Sequence, residues 1–164
     1  MRAPRFQIDI YLQQQILRLS KDGQLLAVYP VSTARNGAGE KMNSECTPRG
    51  QHRIVEKFGD ECPVDTVLVG RKPTGELYTP QLRACYPERD WILTRILRLD
   101  GLEEGINRGG DVDTYERMIY IHGSPDDVQM GAPGSHGCIR MRNADVLRLY
   151  LTVPVGTTVN IHDS

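Results

Sequence analysis

The sequence predicts a mainly β domain with one or two short helices, spanning residues 1–164 as a single unit. Three observations point there: repeated period-two alternation of apolar and polar residues, turn signals between the alternating runs, and a single stretch with helical patterning. A chain of 164 residues that is 39% hydrophobic and 25% charged has the size and composition to close one core.

The elements follow in chain order. Phe6, Ile8, Ile10 and Leu12 alternate with Gln7, Asp9 and Tyr11, the pattern of a half-buried strand. QILRLS and QLLAVYPVS then flank Lys21, Asp22 and Gly23, and Asp-Gly is a strong hairpin turn. A loop rich in Gly, Asn and Ser covers residues 33–50, followed by the alternating run QHRIVEK. TVLVG, residues 66–70, reads as a short buried strand. WILTRILRLDG, residues 91–101, fits either period; its β-branched content and Asp-Gly end favour a strand. MIYIHG reads as a buried strand ending at His122, and CIRM, residues 138–141, opens the next. Asn143 is placed as the N-cap of the helix NADVLRLYLT, whose Val146, Leu149 and Tyr150 share a face. GTTVNIHD closes the chain as a strand.

Charge and composition exclude several roles. Twenty basic and 21 acidic residues leave a formal net charge of −1, without the basic excess of a nucleic-acid binder. No apolar run approaches the ~20 residues that a membrane helix needs, so neither nucleic acid nor membrane is an expected partner. Gln7, Asp9, Gln13, Gln14, Gln15 and Arg18 fall where a secretory signal would carry ~7–15 apolar residues. The expectation is a cytoplasmic protein, or a periplasmic one if a leader has been removed. Cys46, Cys62, Cys85 and Cys138 form no CxxC pair. In a reducing compartment the first three are structural or incidental thiols.

The chemistry concentrates between MIYIHG and CIRM, around the most glycine-rich loop of the chain. His122 and Cys138 stand at its two ends and His136 lies within it. A free thiol is only a few per cent thiolate at neutral pH, and an imidazole that takes its proton makes a nucleophile–base pair. Cys138 is therefore expected to be alkylated faster than the other three cysteines at pH 7. Gly137 and Cys138 could offer backbone N–H groups to an oxyanion, each such donor being worth ~2.7–4 kcal/mol in a transition state. Zinc is the rival reading, with His122, His136 and Cys138 as ligands. The His-x-Cys spacing is tight for one metal, and no fourth ligand stands out. Strand alternation puts Arg140 on the same face as Cys138, where a guanidinium suits a substrate carboxylate.

The stretch IHGSPDDVQMGAPGSHGCIRM resembles the L,D-transpeptidase catalytic domain (YkuD) family, whose signature is HG, then [ST]HGC followed by an aliphatic residue and Arg or Asn. His122 and Gly123 supply the first part, Ser135, His136, Gly137 and Cys138 the second, and Ile139 with Arg140 the tail. YPVSTARNGAGEKMNSECTPRGQHRI is similar to the family's upstream "TP-x-G" segment, so the likeness runs from about Phe6 to about Ile161.

The resemblance implies a β-sandwich-like catalytic fold and a cysteine acyl-transferase acting on peptidoglycan stem peptides. It implies Cys138 as nucleophile and His122 as general base, its ring oriented by the carbonyl of Gly123. Gly137 and Cys138 would form the oxyanion hole, Ser135 and His136 would shape the pocket, and Arg140 would hold a substrate carboxylate. Neither a metal nor an organic cofactor is implied, nor an obligate protein partner. The expected partner is a peptidoglycan tetrapeptide or muropeptide. Attack occurs at the carbonyl on the L-centre of the third residue, usually diaminopimelate, and expels D-alanine. Water then gives L,D-carboxypeptidation and an amine gives a 3→3 cross-link, and the motif is common to both. The cytoplasmic expectation favours carboxypeptidation of recycled muropeptides. The alternatives are a periplasmic transpeptidase and, in a different class, a muropeptide-binding sensor. Residues 98–117, just before MIYIHG, are expected to form a wall or lid over the site.

Overall fold

The computed structural model describes residues 2–164. Ten strands share one hydrogen-bonded sheet that curls on itself: β1 (Phe6–Tyr11), β2 (Ile16–Lys21), β3 (Gln24–Pro30), β4 (Gly50–Phe58), β5 (Thr66–Val69), β6 (Lys72–Leu77), β7 (Ile92–Gly101), β8 (Tyr120–Ser124), β9 (Ile139–Arg142) and β10 (Thr158–His162). Two helices accompany them, α1 (Pro80–Cys85) and α2 (Asn143–Thr152). The sheet runs β3-β2-β1-β10-β4-β7-β5-β6, and β8 and β9 extend from β7.

The alternation seen in the sequence becomes burial. Ile8 and Ile10 of β1 are fully buried and face a core shared with Leu17, Ile54, Leu97, Leu99, Ile121, Ile139 and Met141. Between β2 and β3, Asp22 (φ 50°) and Gly23 (φ 83°) are both left-handed, as a two-residue type I′ hairpin turn requires. WILTRILRLDG does form a strand, and β7 is the centre of the molecule. Its ten residues pair with β4, β5 and β8 at the strand edges. Leu97 and Leu99 pack into the main core on one face and Ile96 packs with Leu68 and Tyr120 on the other, so both faces are covered and the alternation disappears.

Helix α2 lays Val146, Leu149 and Tyr150 into the core, but Asn143 does not cap it. The capping position belongs to Arg142, which makes no side-chain cap bond. Asn143 is the first helical residue, and its buried amide turns inward to accept from Thr94 Oγ1 (2.7 Å) and to donate to Asp65 (2.9 Å). Helix α1 and strand β6 have no counterpart in the sequence reading. Among the described residues no helix is long and apolar enough to cross a membrane.

Candidate active site

The parallel pairing of β8 with β9 builds the site. In its register His122 stands opposite Arg140 and Ile121 opposite Ile139. Side chains alternate across a strand, so Tyr120, His122 and Arg140 share one face, and Cys138, just ahead of β9, joins them. The other face sends Ile121, Ile139 and Met141 into the core. All four residues of the first face line one cavity of ≈ 290 Å³. Ser135 and His136 complete one wall, and Arg71, Asp90, Ile92 and Met118 complete the others. His122 lies within β8 rather than at its end, which holds its backbone on both sides.

His122 is almost wholly buried, and its Nδ1 lies 2.6 Å from the carbonyl oxygen of Gly123. That oxygen only accepts, so Nδ1 carries the proton and Nε2 is left with its lone pair. Burial pushes the His122 imidazole below its usual value, with Arg140 adding to the effect against the opposing influence of Asp90. The ring is therefore a neutral base at pH 7.

Gly123 is fixed by its surroundings: a Cβ there would stand 2.4 Å from Asn143 Oδ1 and 2.6 Å from the Leu93 carbonyl oxygen. Behind it lies a bulge in β7 at Thr94 (φ 72°), a left-handed conformation that costs a β-branched residue about 1–3 kcal/mol. Thr94 Oγ1 bonds Asn143 and accepts the Asp65 N–H, so the network that displaced the expected cap packs against Gly123, whose carbonyl orients His122.

Cys138 is half-buried. Its Sγ accepts the Tyr120 N–H at 3.3 Å and donates to the Met118 carbonyl at 3.4 Å, and no hydrogen bond joins it to His122. The thiol is pushed up to about 12, chiefly by desolvation, with the Tyr120 N–H, Arg140 and Arg117 acting in the other direction. In the resting site it is a neutral thiol.

The neighbouring residues divide into holders and liners. Ser135 is buried; its hydroxyl donates to the Cys138 carbonyl (2.6 Å) and accepts the Gly137 N–H (3.1 Å). The Gly137 N–H is thus engaged within the loop, whereas the Cys138 N–H has no acceptor among the described residues. Thr47 of the TP-x-G segment, fully buried, donates to the Gly137 carbonyl at 2.8 Å. His136 is exposed at the cavity mouth. Arg140 donates to the Gly134 carbonyl (3.1 Å) and lies 3.5 Å from Asp90. Among the described residues no three His, Cys, Asp or Glu side chains gather as the ligands of a metal ion would. All four cysteines are free thiols.

One expectation about the cavity needs correction. Residues 98–117 contribute nothing to the cavity wall. Residues 98–101 belong to β7, and the remainder is pinned to β4 by Asn107, which donates to the Arg49 and Gln51 carbonyls, and by Thr114 against His52. The wall comes instead from the β5–β6 turn, with Gly70 and Arg71, and from the entry to β7, with Asp90 and Ile92. The sequence reading missed these residues because distant segments deliver them. The left-handed turn at Gly70 and Arg71 (φ 56° and 67°) is the one local signal, through the Gly in Val-Gly-Arg-Lys-Pro.

Fold and site together define a class: a curled β catalytic domain in which a cysteine at a strand edge and a buried, carbonyl-oriented imidazole share one cavity. The chain belongs to the L,D-transpeptidase catalytic domain (YkuD) family, whose model matches residues 5–161. It is 31% identical over 126 residues to "Probable L,D-transpeptidase YbiS" of Escherichia coli, covering 71% of this chain and 40% of that one. It is 45% identical over 56 residues to "Putative L,D-transpeptidase YqjB" of Bacillus subtilis, covering 34% of this chain and 32% of the relative. The chain thus spans less than half of these relatives. Among solved structures, an L,D-transpeptidase from Mycobacterium smegmatis superposes with a TM-score of 0.62 at 22% identity, over 98% of this chain and 59% of that one. L,D-transpeptidase 3 from Mycobacterium tuberculosis, in complex with a faropenem-derived adduct, gives 0.61 at 18%, over 98% and 61%. These two likenesses concern the fold.

Proposed function

We propose that this domain carries out cysteine-dependent acyl transfer on peptidoglycan stem tetrapeptides, releasing the terminal D-alanine. The observation that carries the reading is the single face of β8 and β9 that presents Tyr120, His122, Cys138 and Arg140 to one cavity. Substrate binding turns the Cys138 side chain from Met118 toward His122, whose Nε2 takes the thiol proton. The sulfur attacks the carbonyl on the L-centre of the third residue, and the unoccupied Cys138 N–H donates to the resulting oxyanion. His122 returns the proton to the departing D-alanine amine, leaving a thioester. Water then adds with His122 as base, and the tripeptide carboxylate leaves. Overall, one peptide bond and one water become a carboxylate and an amine.

In this reading the enzyme is an L,D-carboxypeptidase that trims recycled muropeptides in the cytoplasm. A second reading, a periplasmic L,D-transpeptidase, is favoured by one observation. A further cavity of ≈ 220 Å³ adjoins the first at Asp90, His136 and Arg140 and gives an amine acceptor somewhere to lie.

Mass spectrometry of the protein with disaccharide tetrapeptide, with and without a D-amino acid, tests both. Loss of one alanine supports hydrolysis, and D-amino acid exchange or dimer formation supports transpeptidation. No change in either arm overturns both readings. Cys138→Ala is expected to abolish whichever product forms, and faropenem is expected to add mass to the native protein but not to that variant.

A further inference from the structure

The two cavities meet at an ion pair. Asp90 and Arg140 line both of them. Arg140 Nη2 stands 3.5 Å from Asp90 Oδ1, while Nη1 is held by the Gly134 carbonyl. The side chain of Arg140 is 17% exposed and that of Asp90 46%, and Asp90 has no other hydrogen-bond partner among the described residues. A long contact of this kind between partly exposed groups contributes little to stability.

The backbone that carries Asp90 is nevertheless well held. On one side Trp91 is buried against Tyr78, and on the other Arg89 lies over the rings of Tyr86 (4.3 Å) and Trp91 (5.0 Å) while ion-pairing with Glu76 at 3.0 Å. The fold thus presents a fixed cation and a carboxylate side by side to the same solvent-filled space.

A guanidinium meant for a lone carboxylate is weakened by a second carboxylate beside it. A ligand bearing an ammonium next to its carboxylate satisfies both charges at once. We propose that Asp90 and Arg140 form a specificity pair for a zwitterionic α-amino-acid group on the substrate, Arg140 taking the carboxylate and Asp90 the ammonium. The inference rests on the acyl-transfer reading, in which the side chain of diaminopimelate ends in such a group.

Calorimetry tests it with three tetrapeptides whose third side chain ends in ammonium and carboxylate (diaminopimelate), carboxylate alone (2-aminopimelate) or ammonium alone (lysine). Binding is measured to Cys138→Ala, and to the same protein with Asp90→Asn added. The Cys138→Ala protein is expected to bind the diaminopimelate peptide ~10-fold or more tighter than either of the others. Adding Asp90→Asn is expected to equalise the first two peptides while leaving the lysine peptide weaker. Equal affinity for all three in the Cys138→Ala protein overturns the proposal. So does an equal loss on all three with Asp90→Asn, which would mean that Asp90 only positions Arg140. If none binds and the native protein releases D-alanine from none, the acyl-transfer reading has failed, and the specificity pair with it.

Discussion

At Cys138 two opposing influences act on one sulfur atom. The Tyr120 N–H and the cations Arg140 and Arg117 favour the thiolate, yet removal from water outweighs them and pushes the thiol up to about 12. The fast alkylation at pH 7 expected from the motif does not follow from this environment, because the motif shows the base but not the desolvation. Iodoacetamide labelling of Cys138, followed by peptide mass spectrometry, is expected to accelerate through pH 9 with no plateau below about pH 11. A plateau near pH 8 would contradict the resting state described above. In the proposed mechanism activation waits for the occupied site, where His122, kept neutral by burial, would take the proton.

The bulge in β7, the start of α2 and Gly123 of β8 interlock through Thr94, Asn143 and Asp65. Asn143→Ala leaves the Thr94 hydroxyl and the Asp65 carboxylate without their buried partner. It is expected to cost ~1–3 kcal/mol in urea unfolding and to lower kcat more than it raises KM, because the Gly123 carbonyl loses its backing.

Within β4, His52 is expected to make the fold sensitive to acid. It is fully buried between the Gly50 carbonyl and Thr114, and burial lowers it from 6.5 to about 4. The unfolded chain therefore takes up this proton first. Stability that is complete above pH 6.5 drains as the pH falls to 4, by roughly 3 kcal/mol. Urea unfolding at pH 7.5 and at pH 4.5 measures the loss, and His52→Gln is expected to flatten it. Most of these elements were legible because hydrophobic alternation marks half-buried strands. Strand β6 was not, since KPTGEL has only exposed and half-buried positions and contains both Pro and Gly. Helix α1 is six residues long, too short for its period to register.

In the whole molecule the two ends of the chain meet in the middle of the sheet. Strand β10 pairs in parallel with β1 and antiparallel with β4, and buries Val159 and Ile161 in the shared core. Removing residues 158–164 takes out an interior strand rather than an edge. The shortened chain is expected to lose its cooperative unfolding transition in circular dichroism, and a retained transition would show that β1 and β4 can close without it. The same long-range assembly makes the cavity, for Arg71 and Asp90 reach His122 and Cys138 only because β5 pairs with the start of β7, which pairs in turn with β8.

The β class, most of the strands, and the HG and SHGC segments with their strand-face alternation are legible in the residues alone. Those are local properties, written in period, turn chemistry and a contiguous motif. The tertiary structure alone decided the protonation of the cysteine and histidine, the engagement of the Gly137 N–H by Ser135, the inward turn of Asn143 and the pairing of Asp90 with Arg140. Each of these depends on desolvation or on contact between segments far apart in the chain, and neither quantity exists until the sheet has curled.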